Sequence, residues 1–341
     1  MRVLVTGVEG YLGAVLAPVL VEAGHEVVGL DTGYYLNGWL YRGVDRLPPT
    51  RLMDMREVTV ADFEGVDAVV AMAELSNDPL GDLIGPVTTE VNHLGSVHVA
   101  RTAKAAGVER FVYMSSCSVY GAADGVVDET SPIAPQTAYA RCKALVERDL
   151  SALADDGFSP TSLRNATAFG ASPRQRFDIV LNNLAGLAWT RDRIAMTSDG
   201  TPWRPLVHAL DIAQAIVCTL GAERSRVHDV VLNVGSDDQN YTVRQIAETV
   251  AEVFPGCELT LGAPSGDNRS YRVDFSRIGE VLPDFSCVWD ARRGAEQLRR
   301  VFESIDLDVA TFEGRGHTRL KQIQHLLQTG QVDQRLFWVA P

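Results

Sequence analysis

The sequence has no apolar run approaching the ~18 residues that a membrane-spanning helix needs, so no membrane partner is expected. No leader peptide is expected either, because Arg2-Val3-Leu4-Val5-Thr6 already reads as core strand. Positive charge is scarce: 31 lysines and arginines stand against 44 acids, a net charge of −13. Such a chain repels a nucleic-acid backbone, which excludes nucleic acid as a partner, although a few local arginines suffice for an anionic small ligand. The five cysteines (Cys117, Cys142, Cys218, Cys257, Cys287) are odd in number and lack C-x-x-C spacing. That pattern fits free thiols in a reducing cytoplasm. The seven histidines lack metal spacing, and His93 and His98 do not share a helical face cleanly, so no metal site is expected. What is present is bulk: 341 residues, 46% hydrophobic, enough for one large domain or two.

The rest of the chain is organised around its first thirty residues. The strand Arg2–Thr6 runs into Gly7-Val8-Glu9-Gly10-Tyr11-Leu12-Gly13, a G-x-x-G-x-x-G turn. Gly7 permits the reversal, Gly10 lets backbone approach a pyrophosphate, and Gly13 lets the following helix pack close on the strand. That helix, about Tyr11 to Ala23, aims its free N–H groups and positive dipole end at the same pyrophosphate. A second strand, Glu26 to Leu30, ends on Asp31, eighteen residues after Gly13. A carboxylate there accepts from both ribose hydroxyls and repels a 2′-phosphate, which favours NAD over NADP.

Further along, the aromatic stretch Tyr34 to Tyr41 reads as a hydrophobic flap or a cover over the adenosine. Leu52 to Arg56 reads as a strand end where Asp54 could bond the adenine amino group. Val66 to Met72 is a fourth strand, with Ala73 where backbone passes the cofactor phosphates. A helix is expected over Val91 to Ala106 and a fifth strand over Val108 to Ser115. Strands alternating with helices predict βαβ units, hence an α/β fold with a doubly wound parallel sheet. The fifth strand ends in Ser115-Ser116-Cys117-Ser118, at the sheet edge where open α/β sheets bind ligands. Some twenty residues on, Tyr139 and Lys143 lie four apart on a helix running to about Leu153, so they share a face. A phenol has a pKa near 10, and an adjacent ammonium brings it towards the range of a working acid/base.

With these residues in hand, the chain resembles the extended short-chain dehydrogenases/reductases, in the NAD-dependent sugar epimerase/dehydratase branch. The resemblance covers nearly the whole chain. It rests on Gly7 to Gly13, Asp31, Asp54-Met55, Asn92, Ser116 with Val119-Tyr120-Gly121, and Tyr139-x-x-x-Lys143. Leu163-Arg164, Asn182-Asn183-Leu184, Arg204 with Val207-His208 and Asp211, and Asn233-Val234-Gly235 add to it. It implies a Rossmann domain (1–170 plus about 205–234) and a smaller, discontinuous substrate-binding domain (about 171–204 plus 235–341). The two would close over a nucleoside-diphosphate sugar, with NAD held by Gly7, Gly10, Tyr11, Leu12, Gly13, Asp31, Asp54, Met55, Ala73, Asn92, Tyr139 and Lys143. Tyr139 would be the acid/base, Lys143 would lower its pKa and hold the nicotinamide ribose, and Ser116 would polarise the reacting oxygen. Ser116, Ser118, Asn165, Thr167, Asn182, Asn183 and Arg204 would face the substrate. The family usually carries an arginine before the Gly266-Asp267 pair; here Pro264-Ser265 stand there, so Arg269 or Arg272 would take the second phosphate. Thr167 stands where many relatives carry asparagine. The stretch His317 to Leu327 reads as a packed surface helix or as part of a dimer interface, and a homodimer is expected.

The reaction turns on one pair of positions. In the family's 4,6-dehydratases Asp-Glu follows the strand-end serine or threonine, and uridine diphosphoglucuronate decarboxylases keep a glutamate at the second position. Cys117 and Ser118 stand there instead, which argues against both. Cys117 is one residue too early for the cysteine of the 3,5-epimerases and should point away from Ser116, as a small buried hydrophobe. What remains is epimerisation through a transient keto sugar or, as the alternative, a nucleotide-sugar ketoreductase or dehydrogenase. An NAD-type acid at Asp31 favours the redox-neutral epimerase. A non-catalytic dinucleotide-binding regulator would commonly have lost Tyr139 or Lys143.

Overall fold

The computed structural model describes residues 1–42, 48–76, 81, 84–263 and 270–339. Among them, short apolar and β-branched runs form one seven-stranded sheet: β1 (Arg2–Thr6), β2 (Glu26–Asp31), β3 (Thr50–Leu52), β4 (Ala68–Ala71), β5 (Arg110–Ser116), β6 (Ser159–Asn165) and β7 (Val230–Val234). The order is β7-β6-β5-β4-β1-β2-β3, and every pairing is parallel. The chain therefore winds outward from β1 in one direction and then, from β4, in the other. That reversal leaves a crevice beyond the carboxyl ends of β1 and β4. Register brings the functional edge level: Thr6 lies opposite both Leu30 and Ala71, Ala71 opposite Tyr113, and Ser116 opposite Asn165.

Alternation along β1 sends Val3 and Val5 to one face and Leu4 to the other. The first face is covered by the helices Gly13–Glu22 and Ala209–Gly221, through Leu16, Leu20, Ile212 and Ile216. The second is covered by Ser96–Ala105 and Ala138–Leu153, through Val97, Ala100, Ala103, Val146 and Leu150. The helix expected over Val91 to Ala106 begins with a π-helical stretch, Thr89–Gly95. Where a strand end was expected after Leu52, Asp54 caps a 3₁₀ turn, Met55–Glu57, by accepting from the Arg56 amide.

A separate core gathers Phe177, Phe302 and Phe312 with the helices Val180–Arg191, Val243–Val253 and Ala291–Ile305. Thr242 starts the second of these helices with a capping box to Gln245, and Asp290 caps the third on the Arg293 amide. The division at residue 235 expected from the sequence is crossed here. Tyr271, Val273, Phe275 and Phe285 pack in the core beneath the main sheet. The end of the chain returns as well, with Ile323, Leu326 and Leu336 packed on Tyr34 and Leu75.

Candidate active site

The carboxyl edge of the sheet opens into a cavity of about 1060 Å³. Its floor at one end is the glycine turn. Gly7 sits at φ +76, and a Cβ there would meet the Ala73 Cα at 3.0 Å. At Gly13 a Cβ would fall 2.3 Å from the Val8 carbonyl, so only glycine lets the helix start where it does. No side chain caps that helix; the Ala14 amide donates to the Gly10 carbonyl and those of Val15 and Leu16 to the Leu12 carbonyl, and the positive dipole end lies at the stretch of cavity wall formed by Gly10 to Gly13. The Asp31 carboxylate accepts from Gly33 N at 2.8 Å and Glu9 N at 3.0 Å, and burial raises its pKa against those bonds. Thr6 Oγ1 accepts from the amides of Met72 and Ala73, fixing the loop beside the turn. Asp54 and Met55 line the same cavity, with Asp54 paired to Arg56 at 2.6 Å. An uncapped helix end, a glycine cradle and a buried acid at the end of β2 fit an adenine dinucleotide.

At the other end, Thr137 caps the Ala138–Leu153 helix on the Ala140 amide and thereby aims Tyr139 and Lys143 into the cavity. The Lys143 ammonium lies 5.3 Å from the Tyr139 ring centre. Burial raises the Tyr139 pKa, and Lys143 and a hydrogen bond with Ser116 oppose the rise. Lys143 also donates to the Met114 carbonyl and meets Glu74 at 2.8 Å, an ion pair that falls short of hydrogen-bond geometry. Burial works against that ammonium, yet Glu74, Tyr139 and Glu147 together outweigh it and the Lys143 pKa is raised. Besides Glu74 Oε2, two buried polar atoms on residues lining the cavity have no hydrogen-bond partner among the described residues: Ser118 Oγ and Asn165 Oδ1. Orphaned buried acceptors are costly, and a ligand hydroxyl would satisfy them.

Several expected residues stand elsewhere. Asn182 and Asn183 do not line the cavity. The amide of Asn182 meets Gly170 N, the Tyr11 hydroxyl and the Arg176 carbonyl, and that of Asn183 meets the Phe177 carbonyl. They brace the chain between Gly170 and Phe177, and Asp178, Ile179 and Val180, just before them, line the cavity instead. Asn92 is fully buried and clamps both backbone groups of Leu75, so it holds the wall without reaching the interior. Tyr11 lines the cavity, but its hydroxyl donates to the Gly170 carbonyl. Thr167 and Arg204 line it too. Arg272 lies over the Trp203 ring, away from the lining, and Arg269 lies outside the described residues. Cys117 is buried, hydrogen-bonded to the Arg164 carbonyl at 3.1 Å, with burial pushing its thiol pKa well up, so it is no nucleophile. His93 meets Asp149 and His98 the Val58 carbonyl. The sequence reading missed Glu74, Arg176, Asp178 and Arg319, all of which line the cavity. Glu74 carried a signal: an acid directly after an apolar strand end.

A sequence profile of the NAD dependent epimerase/dehydratase family matches residues 3–235. The chain belongs to that family. NAD is accordingly its cofactor. Over 275 residues it is 31% identical to a UDP-glucose 4-epimerase of Corynebacterium glutamicum, spanning 74% of this chain and 80% of that one. It is 26% identical over 335 residues to a UDP-glucose 4-epimerase of Bacillus subtilis, 87% and 94% of the two chains. Among solved structures, MoeE5 in complex with UDP-glucose and NAD superposes with a TM-score of 0.76 at 28% identity, covering 89% of this chain and 100% of the other. An NDP-hexosamine 5,6-dehydratase, TunA, superposes with a TM-score of 0.80 at 23% identity, over 90% and 99%. A solved dehydratase thus shares this fold, and no helix among the described residues is long and apolar enough to cross a membrane.

Proposed function

We propose that the protein is an NAD-dependent nucleotide-sugar epimerase that oxidises one sugar carbon to a transient ketone and reduces it again on the opposite face. The observation that carries this reading is the pairing of Tyr139, Lys143 and Ser116 at the wall of one cavity with a strand end, Cys117-Ser118, that offers no carboxylate. The cavity, about 1060 Å³, is at the upper end of the roughly 300–1,000 Å³ of ordinary ligand pockets, in keeping with an extended dinucleotide and a second ligand. Bound NAD supplies reversible two-electron chemistry beside Tyr139. Tyr139 takes the proton of the sugar hydroxyl as the C–O bond becomes C=O, and returns it to the same oxygen in the second half. Lys143 stabilises the phenolate between the two steps, and Ser116 donates to the carbonyl oxygen as it forms. Ser118 and Asn165 offer partners to sugar hydroxyls, and Arg204 offers its guanidinium to the diphosphate of the substrate. Glu74, the carboxylate near Tyr139, is engaged by Lys143 and the Tyr113 hydroxyl, which disfavours it as a dehydration base.

UDP-glucose is the first substrate to try, given the relatives' names. Run in deuterated water, the enzyme should invert one carbon, incorporate no solvent deuterium there, and consume no added NADH. Deuterium at the inverted carbon would mean carbanion chemistry instead. Stoichiometric loss of NADH would mean a ketoreductase.

A further inference from the structure

Arg319 is a buried cation with an unusual lack of company. The residue is 5% exposed and opens the Arg319–Gln328 helix, near the end of the chain and beyond the portion that matches the family profile. Its guanidinium carbon lies over the Tyr35 ring, 4.0 Å from the centroid, and the side chain donates no hydrogen bond to another described residue. Only its backbone N–H has one, the Asp178 carboxylate at 3.3 Å. Asp178 holds a second arginine, Arg176, at 2.9 Å. Arg176 in turn donates to the Ser76 hydroxyl at 2.9 Å and the Ser76 carbonyl at 3.3 Å, next to the loop that leaves β4. Burial, then the like charge of Arg176, push the Arg319 pKa down to about 10, despite the nearby Asp178 and Asp31. Two guanidiniums in one dry wall repel each other and lose hydration, a cost that persists only where something else offsets it.

Both arginines line the cavity that the glycine turn floors. Arg319 stands close enough to Asp31 to lower its pKa, which sets it towards the end of the cavity that carries the ribose acid. We propose that Arg319, backed by Arg176, is a ligand of the cofactor's diphosphate, so that the C-terminal segment completes the dinucleotide site from the side opposite in sequence to the glycine turn. A guanidinium fork offers several donors to phosphate oxygens, and in a buried wall such charge-assisted bonds are strong. The rest of the segment is tied over the same end. The Trp338 indole donates to the Thr32 carbonyl at 2.7 Å, the Tyr34 hydroxyl donates to the Leu336 carbonyl, and Phe337 lies under the Arg56 guanidinium at 3.8 Å. The diphosphate of the sugar nucleotide is the competing source of the same chemistry. Arg204, which lines the same cavity, is the residue assigned to it above.

The test is calorimetric titration of cofactor-stripped full-length protein with adenosine, ADP-ribose and NAD, and of NAD-loaded protein with UDP. Arg319→Met should weaken ADP-ribose and NAD at least tenfold and leave adenosine and UDP within twofold. Cofactor-stripped Arg319→Met should melt no lower than the parent, since the lost charge is uncompensated there. Unchanged ADP-ribose affinity overturns the proposal, as does equal weakening of adenosine and ADP-ribose. A loss confined to UDP overturns it in favour of the substrate. If Arg319→Met does not fold, Arg319→Lys decides: it should weaken ADP-ribose by less while sparing adenosine, and equal weakening of the two refutes the assignment. The inference rests on the dinucleotide site, whose own failure looks different: ADP-ribose would not bind the parent protein.

Discussion

Glu74→Gln is the substitution that most directly probes how the phenol is tuned. Glu74 lies 2.8 Å from the Lys143 ammonium, and that ammonium lies 5.3 Å from the Tyr139 ring centre. The two legs keep the carboxylate oxygen within about 8 Å of the ring centre. At an effective dielectric near 20, unit charges at that separation interact by about 2 kcal/mol. At about 1.36 kcal/mol per unit, this corresponds to roughly 1.5 pKa units. The sign is definite: a carboxylate disfavours the phenolate, so Glu74 raises the Tyr139 pKa, and it also neutralises the cation that would lower it. Gln keeps the shape and an acceptor for the Tyr113 hydroxyl while removing the charge. With the loss discounted for relaxation, the ascending limb of log kcat/KM against pH should move about one unit lower. The assay is a pH profile of epimerisation at subsaturating nucleotide sugar, beside a spectroscopic phenolate titration of NAD-loaded protein with Tyr139→Phe as the blank. A limb that stays in place or moves upward would refute the electrostatic account and leave Glu74 as a brace for Lys143.

Tyr139→Phe should lower kcat on the order of 10²–10⁴-fold and leave NAD bound, measured by turnover beside native mass spectrometry; activity within threefold of the parent would remove Tyr139 from the mechanism. Asp31 should make NAD bind at least tenfold tighter than NADP, checked by titrating stripped protein with each; equal affinities would revive the reductase. Burial raises the Asp211 carboxyl to about 6 against the amides of Val288 and Trp289 that donate to it. A folded pKa above the unfolded value near 3.9 means the native chain holds the extra proton, so this contribution to stability falls as pH rises from about 4 to about 6. Asp211→Asn should therefore gain about 1–2 kcal/mol at pH 7 relative to its effect at pH 4, read from urea melts; the same difference at both pH values would be the contrary result.

The parts of the molecule that were legible in the sequence are those fixed by local steric rules. Gly7, Gly10 and Gly13 imply a strand, a reversal and a helix, and the helix runs Gly13–Glu22 where Tyr11 to Ala23 was expected. The helix Val243–Val253 obeys the same kind of local rule, since Thr242 caps its start and Pro255 stands just past its end. The parallel sheet followed from alternation alone. The π-helical stretch at Thr89–Gly95 was not legible, since it is made by tertiary anchoring: Asn92 grips Leu75 across 17 residues.

The same distinction governs the site. Tyr139 and Lys143 are related by helix geometry, so their meeting was readable from spacing. Asn182 and Asn183 were expected at the substrate from resemblance, but which end of a helix faces a cavity depends on how that helix docks. Here the docking presents Asp178 to Val180. Arg319 is the hardest case, one of 31 basic residues and some three hundred residues from the glycine turn. Yet it left a trace. Arg319, Gln322, Ile323 and Leu326 are the buried positions of their helix, spaced i, i+3, i+4 and i+7. A guanidinium in a stripe that otherwise belongs to a core is out of place unless an anion waits for it. The amphipathic pattern therefore carried the clue at Arg319, where hydrophobic periodicity and charge disagree.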